Sequence, residues 1–239
     1  MVKFISVTWS EGISEREYTV LAKALEHVIR WLNLRHPAAF EDPPLRIRLF
    51  GNWIIPLLVP DYPYWGTQWY INRSYDQELE QVIAPVYLEL VRQEPWQMID
   101  PHYDIAVMEH DLTDFPAPLA RLRPEHYALS ASFPGTSAIF STRRIRLLDD
   151  EHFRDIALAR LARHCLGHAL GAVDFSRTVD VARLGLEMHC MNRCVMRHAE
   201  NADELVAFSL EELEHGWAFC PTCTRALHSV LVRESYVWN

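Results

Sequence analysis

RHCLGHALGAVDF, residues 163–175, is the stretch from which the rest of the chain is read. It completes a longer run from Asp149, DDEHFRDIALARLARHCLGHALG, with aspartate for an N-cap, acidic residues in the first turn, good helix formers throughout and Gly171 just past the end. The run predicts a helix. At about 100° per residue, Ala157, Leu161, His164 and His168 share one face, so both imidazoles continue the stripe that turns toward the core. Two histidines one turn apart can converge on a metal ion. The plain alternative is a pair of buried histidines satisfying ordinary hydrogen bonds, and H-x-x-x-H spacing alone does not separate the two.

The cysteines add weight to the metal. All five fall between residues 165 and 223, and four of them form close pairs: Cys190 with Cys194, three residues between, and Cys220 with Cys223, two between. The 25 residues separating the pairs suit a tetrahedral zinc site of four thiolates, at about 2.3 Å from the ion, that would staple distant segments of the C-terminal third. A redox pair in CPTC is the competing reading, but it needs no partner pair and normally opens a helix after a βαβ strand. Cys165 is left over.

A length of 239 residues with 49% apolar residues allows a packed core in one generous domain. We expect a single domain over 1–239, with an N-terminal subdomain of sheet and helix over 1–170 and a C-terminal subdomain over 171–239 built on the cysteine site. The net charge of −9, without a long block of basic residues, argues against a nucleic-acid partner. MVKFISVTWSEGISE meets charge before any apolar run reaches signal-peptide length, and no later stretch approaches the roughly 18 apolar residues of a membrane span. A cytoplasmic protein with no membrane partner is expected, and clustered cysteines in a reducing compartment point to metal rather than disulfides.

Along the chain, KFISVTWS at 3–10 reads as a strand, and SEREYTVLAKALEHVIRWLNL as a helix behind a Ser14 cap. The segment 46–75 reads as a strand at 46–50 followed by a proline- and aromatic-rich structured loop packed over the core, with an exposed aromatic surface from Trp53 to Trp69 as the other possibility. Residues 76–94 read as a helix kinked or broken at Pro85. HYDIAVMEHDL reads as a strand, and ALSASFPGTSAIFSTRRIRLL as two strands around a Phe-Pro-Gly-Thr turn, the second an edge strand. Strands interleaved with helices make the fold class α/β (α+β).

Taken together, HCLGHALG from His164 to Gly171, MHCMNRCVM from Met188 to Met196 and FCPTC from Phe219 to Cys223 resemble the archaemetzincins, zinc metallopeptidases of the metzincin clan whose motif runs HExxHxxGxxHC, then a cysteine beside CxM, then CxxC. The match runs from about residue 138 to residue 226. The resemblance implies a compact metzincin-like domain: a mixed twisted sheet with an antiparallel edge strand at 137–143 that pairs with an extended substrate, an active-site helix, and a C-terminal four-cysteine zinc subdomain. It implies a catalytic Zn²⁺ on His164, His168 and His189, a structural Zn²⁺ on Cys190, Cys194, Cys220 and Cys223, and Met196 as the turn beneath the metal.

This chain departs from that motif at three points. Cys165 stands where the family has the glutamate that takes a proton from zinc-bound water and passes it to the leaving amine, and loss of a positioned base costs roughly 10² to 10⁴ in rate. Asp174 stands where the third histidine is expected, and the His-Cys pair arrives 15 residues later at His189 and Cys190. The third ligand is therefore His189, returned by a looped-out insertion of small entropic cost, or Asp174. The first cysteine pair is also one residue tighter than the family's, which a four-thiolate site tolerates. The favoured reading is a zinc-binding protein with a degenerate peptidase site, catalytically impaired or inactive, that binds a peptide or protein partner. One alternative is an active peptidase of narrow specificity with a surrogate base, Asp174 or Glu187. Another is a thiol-based metal or redox sensor at Cys165, against the simpler reading of that thiol as a small apolar filler.

Overall fold

A computed structural model describes residues 3–35, 45–52, 66–185, 187–216 and 218–236 of the 239. The elements run β1 (Phe4–Trp9), α1 (Glu15–Asn33), β2 (Arg46–Gly51), α2 (Thr67–Ser74), β3 (Tyr75–Asp76), β4 (Gln81–Ile83), α3 (Ala84–Arg92), α4 (Pro95–Ile99), β5 (Tyr103–Met108) and β6 (Asp111–Thr113). They continue with α5 (Ala117–Ala120), β7 (Ser130–Phe133), β8 (Ser137–Ser141), a 3₁₀ turn at Ile145–Leu147, α6 (Glu151–Ala169), β9 (Val181–Leu184), β10 (Glu187–Cys190), α7 (Ala202–His215) and α8 (Pro221–Tyr236).

The central sheet has the order β2-β1-β5-β8-β7, parallel from β2 to β8 and antiparallel at β7. The interior strands β1, β5 and β8 are buried because both faces of the sheet are covered there, whereas the edge strand β2 is exposed or half-buried. Ile5, Val7, Ile105, Val107, Ala138 and Phe140 pack with α1 and α6 on one face, while Phe4, Ala106, Met108 and Ile139 pack with α2 and α3 on the other. That alternation is the period of two that a strand imposes. The larger core is continuous across residue 170, joining Ile5 and Leu161 to Cys194 and Leu227. No helix among the described residues is long and apolar enough to cross a membrane.

The ends of α1 and α6 follow from local chemistry. Ser14 and Glu17 form a reciprocal capping box at the start of α1. Asp150 accepts from the backbone N–H groups of His152 and Phe153 to start α6, and Gly171 follows its end at φ +79°, a left-handed conformation that glycine adopts without penalty. The Phe133–Thr136 turn between β7 and β8 places Gly135 at φ +79°, and Gly135 donates its N–H to the His168 carbonyl at 2.9 Å. The hairpin is thereby tied to the end of α6.

Three expectations need correction. Residues 137–143 are not the edge: β8 lies between β5 and β7 with all five residues buried, and the antiparallel edge strand is β7. Residues 76–94 are not one helix, because Pro85 sits in the first turn of α3, where its missing N–H costs nothing, and the chain before it pairs as β3 and β4. The segment 46–75 contains β2 and also helix α2, with the residues 53–65 of the aromatic loop lying outside the described set.

Arg160 ties α6 to the C-terminal third. Its side chain is fully buried, donating to Glu212 on α7 at 2.9 Å and to the carbonyls of Cys194 at 3.3 Å and Arg197 at 3.1 Å. Burial works against both charges, lowering the Arg160 pKa and raising that of Glu212, so each depends on the other. Removing one partner of such a pair typically costs about 3–5 kcal/mol. Arg160→Leu should lose stability on that scale in urea denaturation, and a loss under about 1 kcal/mol would show that the pair holds nothing together.

Candidate metal centres

Helix α6 presents His164 and His168 one turn apart, and β10 brings His189 to them. The ring centroids lie 4.7 Å apart for His164 and His168, 5.4 Å for His164 and His189, and 5.2 Å for His168 and His189. Glu187 joins the group: one ligand atom from each of the four residues lies within 4.8 Å of the others, and all four residues are buried. On a strand, residues two apart point to the same side, which is why Glu187 and His189 arrive together. The Glu187 Oε2 is 3.6 Å from the His189 Nε2.

Each imidazole is set for coordination. The His164 Nδ1 donates to the Val195 carbonyl at 2.8 Å, which fixes the ring and leaves Nε2 as an acceptor. Both ring nitrogens of His168, the His189 Nδ1 and the Glu187 Oε1 are buried without a hydrogen-bond partner among the described residues. Burial lowers the His168 pKa to about 3 and that of His189 to about 2, and it drives His164 well below the ordinary value, helped by the other two rings. The rings are therefore neutral, as metal ligands must be. Burial pushes Glu187 up to about 7. A set of orphaned nitrogen and oxygen donors facing one point fits Zn²⁺, a borderline ion that accepts both.

The four paired cysteines form the second centre, with their sulfurs also within 4.8 Å of one another. All are buried and free, and the Cys190 and Cys220 sulfurs are 3.7 Å apart. Hydrogen bonds between the crowded thiols lower the pKa of Cys190 and Cys220 and raise that of Cys194 and Cys223. Arg177 donates to the sulfurs of Cys223 at 3.2 Å and Cys190 at 3.4 Å, and the backbone N–H of Cys220 donates to Cys194 at 3.3 Å. Such donors stabilise thiolates, and four soft donors suit Zn²⁺.

Two solved structures share this architecture. The archaemetzincin of Methanopyrus kandleri aligns over 97% of this chain and 96% of its own, with a TM-score of 0.60 at 19% identity. This is the archaemetzincin fold. The archaemetzincin of Archaeoglobus fulgidus, solved with malonate, aligns over 93% of this chain and 99% of its own, with a TM-score of 0.55 at 15% identity. No protein-family model matches the chain, and no curated protein does.

On this archaemetzincin fold, His164, His168 and His189 come together, whereas Asp174 stays in the loop after α6, where its Oδ1 accepts from the N–H and hydroxyl of Ser176. The 15-residue insertion forms β9 and its pairing with β10, Ala182 opposite His189, and so carries the histidine back. Met196 is buried, and its carbonyl accepts from the Cys190 N–H at 3.0 Å, which ties the Met196 segment to the strand bearing His189. Cys165 is 1% exposed within the main core, and burial raises its pKa well above the ordinary thiol value. Exposure and a lowered pKa, the marks of a reactive thiolate, are both missing.

A cleft of about 530 Å³ opens beside the histidine centre, between the start of β7 and the β9–β10 hairpin. Its lining includes Asp114, Glu125, Ser130, Glu187, His189 and His198. His198 had no signal in the sequence. It lies two residues beyond Met196 and its ring is 4.6 Å from that of His189. Glu187, named from the sequence as a candidate surrogate base, lies within the histidine group itself.

Gly167 lies against the methionine turn, since a Cβ there would run into the Met196 sulfur and crowd the Phe219 ring. A methyl group forced into that contact should cost about 1–3 kcal/mol. Gly167→Ala is expected to lower the thermal midpoint accordingly, and an unchanged midpoint would show that Met196 does not pack tightly under α6.

Proposed function

We propose that this chain is a zinc-binding protein of archaemetzincin type that holds Zn²⁺ on His164, His168 and His189, keeps a second Zn²⁺ on its four paired cysteines, and has lost most or all peptide hydrolysis. The observation that carries the reading is the pairing of a complete, buried histidine set with a buried thiol at the next residue. Zn²⁺ held at the histidines would supply Lewis acidity beside the cleft. Hydrolysis also needs a group that accepts a proton there and returns it to the leaving amine. Cys165 offers no such group, because its thiol is packed into the core and does not line the cleft.

The retained function is binding. Among the described residues the cleft carries Asp114, Glu125 and Glu200 against one arginine, Arg123, so a peptide with basic residues suits it best. The edge strand β7 begins at this cleft, with Ser130 in its lining, and leaves backbone groups for an extended segment. The five free cysteines fit a reducing, cytoplasmic location.

A broad peptide library incubated with the zinc-loaded protein should show no zinc-dependent cleavage above a rate roughly 10² to 10⁴ below a competent metallopeptidase. Cleavage at ordinary rates that disappears in His168→Ala would contradict the proposal and favour a surrogate base.

A further inference from the structure

We propose that Glu187 is a fourth ligand of the histidine centre and fills its cleft-facing corner, so that the ion sits in a closed shell of three imidazoles and one carboxylate. The inference rests on the zinc reading of the preceding subsection and explains more fully why hydrolysis is lost.

Four observations carry it. The Glu187 carboxylate belongs to the same convergent group as the three imidazoles, 3.6 Å from the His189 Nε2. Glu187 is only 5% exposed, and its Oε1 has no hydrogen-bond partner among the described residues. A carboxylate buried in that way is costly unless a cation meets it. The third observation is the side from which each ligand comes: His164 and His168 rise from α6 and do not line the cleft, whereas Glu187 and His189 do. An ion among the four would therefore have Glu187 and His189 on its cleft side. Catalytic zinc sites keep one corner open for water or substrate, and structural sites fill all four.

The fourth observation is how Glu187 is held. It opens β10 opposite Leu184 of β9, after Gly185 at φ +58°. A Cβ on Gly185 would strike the Asp114 carboxylate, so the hairpin is fitted closely to the cleft wall. The insertion that returns His189 thus also delivers an oxygen donor that no position on α6 provides. The arrangement moves the carboxylate of the centre from the helix to the strand and changes its role from acid–base group to ligand.

The test uses the full chain and zinc competition against a chromophoric chelator. Wild type should show two tight sites, and Glu187→Gln should weaken one by more than about 100-fold, beyond the 10- to 100-fold cost of losing an outer partner of a ligand. Retention of the other site at wild-type affinity reports that the variant is folded. If wild type binds two ions and Glu187→Gln holds both within about threefold, the ligand assignment is overturned while the zinc reading stands. If wild type binds only the thiolate ion, both fall. Cobalt substitution gives a second readout. Azide should leave the visible bands of the histidine-site cobalt unchanged in wild type and shift them in Glu187→Gln, and a shift in wild type would show an open corner and overturn the proposal.

Discussion

Three imidazoles, a carboxylate and four thiols are buried in one third of the chain, and the imidazole nitrogens and carboxylate oxygen that lack hydrogen-bond partners there are costly unless a cation lies among them. Here the donors converge on two points, and the points are joined covalently, since His189 belongs to one group and Cys190 to the other. Everything around them serves to hold that junction. Helix α6 supplies two histidines from one side, the Met196 carbonyl receives the Cys190 N–H from another, and the Val195 carbonyl orients His164. Strand β10 is thus common to both groups.

The supporting structure is stiff where the centre needs it. The Phe133–Thr136 turn bonds to the end of α6 through Gly135, Gly167 lets the methionine turn sit directly against that helix, and Arg160 reaches from its other side to Glu212 and to the Cys194 carbonyl. The insertion after α6 is bound at both centres. Arg177 donates to two of the thiolate sulfurs, and Glu187 enters the histidine group.

Much of this was legible in the sequence because the signals were local. The cap at Asp150, the glycine after α6, the helical spacing of His164 and His168 and the two cysteine pairs each depend on residues a few positions apart. What was misread depended on partners far away. Whether β8 is an edge or an interior strand is decided by β7 folding back across it, and five residues of mixed apolar and hydroxyl character do not announce which. Residues 76–94 carry enough helix formers to look continuous, yet Pro85 is better placed in a first turn than in an interior, and the preceding residues find strand partners. That His189 lies beside His164 and His168 while Asp174 does not follows from a 15-residue excursion that only tertiary structure places, and His198 sits in the cleft without any motif to mark it.

In the proposed reading Cys165 and Glu187 belong together: the helix carries a buried thiol beside His164, and the strand carries the carboxylate that lines the cleft. The two buried ions are the claim on which this account stands. The most direct measurement is native mass spectrometry, with elemental analysis, of protein purified without added metal or chelator. The account predicts two zinc ions per wild-type chain and one in His168→Ala. A single ion in wild type that persists in His168→Ala would contradict it, leaving the histidine cluster as a metal-free relic beside an intact thiolate site.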